Sequence, residues 1–264
     1  MKLEIGANTR VVDLAHPLTK GMPNFPSAPE YQMIPNYRLG DFELADGYWG
    51  CNEFVSMSGH SGTHLDALGH VAKDGLLFDG TPADQAQDGV NGLVVGSIHQ
   101  VAPIVKRGVF IDVPALHDGA PLGGGVAVTV ADLERFESTS RVRIDSGDCV
   151  IIRTGWGLLW NEPHRYLGEE SGAPGIDIEA AHWLGDRGVF LVGADTGTVE
   201  VTSPHGLVLP VHMEMLARRG IHLLESMNLE ALAETGVTEF AFFCSPLAMV
   251  GASGSPVRPV AVLP

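Results

Sequence analysis

Residues 58–71, SGHSGTHLDALGHV, place His60, His64, Asp66 and His70 within eleven residues, set among glycines and small side chains. A carboxylate and two imidazoles at such short range are natural ligands for a divalent ion such as Zn²⁺ or Mn²⁺. The spacing excludes an α-helix, because Asp66 would lie roughly 200° round the axis from His64. Strand alternation turns His60, His64 and Asp66 to one side. A straight strand would nevertheless hold His60 about 20 Å from Asp66, far beyond ligand bonds of about 2.0–2.2 Å. The segment must bend, and Gly59 and Gly62 allow it to do so. The expectation is a strand end turning into a loop, with three side chains converging on one metal.

Read as His60, Gly62, Thr63, His64, Asp66 and then His70, this stretch resembles the signature of the metal-dependent cyclase family. That family contains bacterial kynurenine formamidases and isatin hydrolases. DLAHPLTKGMPNFP near the start, GADTGTVE in the middle and VHMEMLARRGIHLLESMNL near the end are similar to the family's blocks in their usual order. The resemblance implies an α/β fold of the swivelling β/β/α type, with a mixed sheet closing toward a barrel. It also implies that the early loop helps form the substrate pocket, which makes Phe25 a candidate wall residue. His212 and Glu225 would approach the metal from the far half of the chain, as supports of the first ion's ligands or as ligands of a second ion. A surface His–Glu pair is the alternative reading of those two. The resemblance further implies a homodimer or homotetramer.

The elements that must position these residues can be read in part. At 264 residues with 45% hydrophobic and 18% charged content, the chain can bury a sizeable core. One mixed α/β domain over 1–264 is expected, without repeats or linkers. A net charge of −16 argues against nucleic acid and against anionic membrane surfaces as partners. The first sixteen residues are too polar for a signal peptide, no apolar run approaches a membrane span, and three scattered cysteines imply no disulfide framework. A cytoplasmic protein acting on a small molecule is the expectation.

In chain order, residues 10–14 form a short strand. The Pro-rich stretch to about residue 39 is mostly irregular, and residues 48–57 lead as a strand into the metal segment, with Trp49, a candidate substrate-pocket residue, and Phe54 on opposite faces. A long loop with one helical turn follows His70. Strands are expected at 108–113, 149–153, 189–194, 221–224, 239–244 and 260–263, and helices at 129–137, 177–187 and 211–219. Asp195 ends a central strand, a common site position and equally a turn starter. His16, His99, His117, His164, His182, His205 and His222 have no partners in sequence comparable to that cluster and are expected in surface or core roles.

The chemistry this implies is amide hydrolysis, with His60, His64 and Asp66 holding one divalent ion, Mn²⁺ or Zn²⁺. His70, just beyond the ligands, would act as general base and then acid. By resemblance, kynurenine formamidases typically carry a Pro soon after the ligand Asp, whereas this chain has Ala67-Leu68-Gly69. The thirteen-residue step from His212 to Glu225 looks like the isatin-hydrolase branch. Opening of a cyclic amide such as isatin is therefore favoured over hydrolysis of an N-formyl aryl amide or a lactone. A metal-binding protein without turnover is the reading from another class; it has no use for His70.

Overall fold

The computed structural model describes residues 6, 9–43, 45–204 and 208–263, so His205 lies outside the described residues. Eleven strands matter here: β1 Val11–Asp13, β2 Gln32–Tyr37, β3 Asn52–Ser56, β4 His64–Asp66, β5 Ile104–Asp112 and β6 Cys149–Arg153, then β7 Leu191–Ala194, β8 His222–Glu225, β9 Glu239–Cys244, β10 Gly254–Pro256 and β11 Val260–Val262. Nine of them form one curled half-barrel sheet in the order β1-β11-β9-β5-β6-β7-β8-β4-β10. The four central strands β5 to β8 run parallel, and the flanking pairs are antiparallel.

Parallel neighbours need crossover connections, and three helices supply them: α1 Val130–Ser140, α2 Ile178–Asp186 and α3 Pro210–His212. Helix α3 runs on as a π-helical segment, Met213–Arg219, ended by Gly220 in the left-handed region. Thr129 and Asp132 form a capping box on α1, and Asp177 accepts the Ala180 N–H at the start of α2. Alternation along CVIIR divides the core. Val150 and Ile152 meet the helices with Leu133, Ala181 and Leu216, while Cys149 and Ile151 meet Phe240, Phe242 and Leu65 on the other face.

The expected mixed α/β sheet curling toward a barrel is what forms. The stretch before residue 39, expected to be irregular, instead carries β2. It pairs with β3, tolerating Pro35 beside a register shift that spares a ladder hydrogen bond. Strand β3 does not run into the main sheet as expected; β2 and β3 form a separate two-stranded hairpin. The stretch 72–92 contains turns and a two-residue strand but no helical turn. Strand β5 starts earlier than expected because Lys106 and Arg107 still pair with Phe242 and Ala241. No helix among the described residues is long and apolar enough to cross a membrane.

Candidate metal centre

The bend falls at residues 59–63, so the segment is a loop entering a strand rather than a strand ending in a loop. Strand β4 is held between β8 and β10, with His64 opposite Glu225 and Asp66 opposite Gly254. Alternation sends Leu65 into the core and leaves His64 and Asp66 on one face. Gly62 makes the bend at φ +60, and the His60 ring lies directly on Gly254. A Cβ at residue 254 would stand 2.5 Å from His60 Cε1.

The side chains form a compact set. His60 Nδ1 lies 2.8 Å and His64 Nε2 3.6 Å from Asp66 Oδ1, while His212 Nε2 lies 3.7 Å from Asp66 Oδ2. Glu225 faces the same imidazoles, 3.2 Å from His64 Nε2 and 3.0 Å from His212 Nε2. Donor atoms of His60, His64 and Asp66 all fall within 4.8 Å of one another, and so do those of Asp66, His70 and His212. Separations of this size suit donors gathered round ions at bonds of about 2.0–2.2 Å. Asp66 therefore stands between two donor groups. The structure brings His212 and Glu225 to the centre rather than leaving them as a surface pair.

Two observations fit a divalent ion. Both Asp66 oxygens and Glu225 Oε1 are buried, and no well-directed hydrogen bond reaches them despite the short contacts. Buried carboxylate oxygens demand compensation. The far nitrogens of the His60, His64 and His212 imidazoles are also anchored. His60 Nε2 meets Ser253 Oγ at 2.9 Å, His64 Nδ1 donates to the Gly62 carbonyl at 2.8 Å, and His212 Nδ1 donates to Glu200. Anchoring of this kind fixes ring and tautomer for ligation through the inner nitrogen.

Sequence reasoning missed Glu200. It lies in GADTGTVE, but its partner is twelve positions further on and only the fold joins them. Its carboxylate, 1% exposed, accepts the backbone N–H groups of Val211 and His212 at 3.0 Å each and the His212 ring. Val199 just before it has φ 58, and Ser226 just after Glu225 has φ 55. Left-handed backbone at such residues, Val above all, is strained and concentrates at functional sites. The π-helix entered at His212 belongs to the same category of local irregularity.

The electrostatics follow from burial against charge. Burial alone would lower His64 and His212, but Glu225 and Asp66 on one and Glu200 and Glu225 on the other raise them, to about 9 and about 10. Burial would raise Asp66, yet His70, His60 and His64 hold it below its usual range. Burial lowers His70 despite Asp66 nearby, which keeps that imidazole neutral. The centre is therefore two buried carboxylates that draw in positive charge.

His70 sits with its ring 4.2 Å from that of His60 and 6.2 Å from that of His212, centroid to centroid. Phe25, half-buried, lies over Gly197 beside Tyr166. The His16 ring stacks on Trp160 at 4.1 Å, and the His16 backbone N–H donates to Thr63 Oγ1, tying this aromatic cluster to the residue before His64. Trp49 takes no part in the centre: it packs on Gly40 on the hairpin. Asp195 is fully buried and accepts hydrogen bonds from Thr154 N, Thr154 Oγ1 and Gly155 N. Its carboxylate fixes the turn after β6 and is not free for substrate. Of the isolated histidines, His222 reaches the centre, donating through Nδ1 to the Asp66 carbonyl at 2.8 Å.

A model of the putative cyclase family matches residues 12–201. The chain belongs to the cyclase family. A solved structure described as a novel cyclase superposes with a TM-score of 0.87 at 26% identity, covering 97% of this chain and 89% of the other. Isatin hydrolase A from Ralstonia solanacearum gives 0.74 at 26% identity, over 97% and 93% of the two chains. Kynurenine formamidase from Bacillus thuringiensis (strain Al Hakam) is 22% identical over 94% of this chain and 95% of its own. Fold and donor set together are those of a metal-dependent hydrolase.

Proposed function

We propose that the protein opens a cyclic amide, isatin or a close analogue, with a divalent ion held by His60, His64 and Asp66. The observation that carries the reading is the convergence of anchored imidazoles on buried, uncompensated Asp66 and Glu225. The two His and one carboxylate suit Mn²⁺ or Zn²⁺, and His212 and Glu225 with Asp66 would hold a second ion. A divalent ion bound there supplies a Lewis acid and brings the pKa of its water toward neutrality.

The chain's own residues do the rest. His70, neutral and beside the ligands, takes a proton from the attacking water and returns it to the departing nitrogen. Burial keeps Asp66 and Glu225 out of bulk solvent, and the half-buried Phe25 ring over Gly197 would meet a planar aromatic substrate. The likeness to isatin hydrolase A and the Ala67-Leu68-Gly69 step support a cyclic substrate. The full-length match to kynurenine formamidase supports N-formyl aryl amides as the second reading. Comparison of kcat/KM for isatin and N-formylkynurenine on one metal-loaded preparation decides between them. Isatin is expected to win; a tenfold preference for the formyl amide promotes the second reading, and turnover of neither rejects both.

A further inference from the structure

Strand β5 carries two adjacent cations with different surroundings. Arg107 collects Asp145, Asp148 and Glu239. Lys106 points to the opposite face of the sheet, and among the described residues it has no acidic partner and donates no hydrogen bond. Its ammonium lies 4.3 Å from the centroid of the Phe190 ring. That contact holds the side chain in place but gives its three N–H donors no acceptor oxygen. The other described cations without an acid, Arg10, Lys20, Arg135, Arg141 and Arg143, are all exposed, whereas Lys106 is partly buried. An ammonium drawn out of water demands compensation, and this chain, with 32 acidic residues against 16 basic ones, supplies none to it.

Lys106 lines a pocket of about 430 Å³ together with Leu68, Gln100, Ile104, Phe190 and His222. The volume falls among those of small-molecule sites, which set a few fixed polar groups in apolar walls. His222 closes the pocket toward the metal centre. Its buried ring tilts against Phe190 at 5.6 Å between centroids, and its Nδ1 donates to the Asp66 carbonyl at 2.8 Å. None of His60, His64, His70 and His212 lines the pocket, so it is separate from the centre.

We propose that this pocket is a second ligand site, for a small aromatic carboxylate. The carboxylate pairs with Lys106 Nζ, and the ring lies against Ile104, Phe190 and His222. The ligand then brings the counter-charge that the chain withholds from Lys106. A neutral ligand would leave the ammonium unpaired. A phosphate ester would bring a second negative charge with no cation to meet it, on a chain of net charge −16. The site uses no step of the hydrolysis proposed above.

Fluorine NMR titration of 4-fluorobenzoate into the metal-loaded full chain tests it, with one saturable bound resonance expected. Lys106→Met keeps the stem on Phe190 and should weaken binding about tenfold or more, the loss of a charge-assisted hydrogen bond. Lys106→Arg should retain the binding. The uncharged 4-fluorobenzyl alcohol should bind at least about tenfold more weakly than the acid. His64→Ala, which alters the metal centre alone, should leave the affinity for 4-fluorobenzoate unchanged. Lys106→Gln takes the place of Lys106→Met if circular dichroism shows the latter misfolded. Absence of saturable binding overturns the proposal, as does equal affinity after removal of the Lys106 charge or for the alcohol. Loss of binding in His64→Ala also overturns it, by moving the anion to the metal.

Discussion

The metal centre and the β2–β3 arm lie close in sequence, since residue 56 ends one and residue 60 opens the other, yet they are built on opposite terms. At the centre, β4 is locked between two strands, and the imidazoles of His60, His64 and His212 are tied at their far nitrogens. On the arm, each apolar side chain stands in solvent and the backbone pairs only with itself. At the centre polar groups are buried and held in fixed geometry, and on the arm apolar groups are exposed. Both are departures from ordinary burial: the first fits a bound cation, and the second leaves apolar side chains in solvent.

The comparison breaks most visibly if the centre tolerates loss of a ligand. His64→Ala should abolish activity and leave little bound metal by elemental analysis, while far-UV circular dichroism stays unchanged. Stoichiometric metal in that variant removes His64 from the ligand set. Next in size, His70→Ala should keep metal content and the melting curve but lose at least about a hundredfold in kcat, the contribution of a positioned general base. Loss of metal along with rate would make His70 a ligand, and retention of both would pass the proton role to another group.

Glu200→Gln sharpens the contrast further, because it touches neither solvent nor substrate. Removing the charge that fixes His212 should weaken metal binding about 10–100-fold, as outer supports of metal-bound histidines generally do. Isothermal titration with Mn²⁺ measures this, and unchanged affinity would reduce Glu200 to a cap for α3.

The smallest effect concerns His16 and stability. Burial lowers its pKa to about 4, opposed only by the Met227 carbonyl, and its Nε2 has no partner. The unfolded chain protonates near 6.5 while the folded chain stays neutral. Stability is therefore full above about pH 6.5 and falls as pH drops toward 4. At pH 5 the loss is about 2 kcal/mol. Urea melts at pH 7.5 and 5.0 should show His16→Phe, which keeps the stack on Trp160, losing less than wild type. An equal loss in both would assign the pH dependence elsewhere.

What the sequence disclosed divides along physical lines. Strands such as 149–153 and 239–244 were legible because their runs 149–152 and 240–244 are continuously apolar and mostly buried on both faces. The helix starting after Thr129 was legible from its cap. The group His60, His64 and Asp66 was legible because all three donors lie on one short bend. Glu200 was not, since its link to His212 exists only once α3 folds back from β7. Asp195 looked available because a strand-end carboxylate has the same signature whether it faces substrate or a neighbouring turn. Of the arm, β3 was read as a strand, but β2 was hidden by Pro29 and Pro35.

The left-handed backbone at Val199 and Ser226 bears on how this protein responds to selection. Each strained residue costs on the order of 1–3 kcal/mol, held beside the two carboxylates that line the centre. A screen that rewards heat resistance alone would therefore find gains at these positions, glycine at 226 first, since Val199 also fills core space. Those gains would come from loosening the frame around Glu200 and Glu225. Thermal resistance and turnover would drift apart in such lineages, and the divergence would begin at two residues that bind nothing themselves.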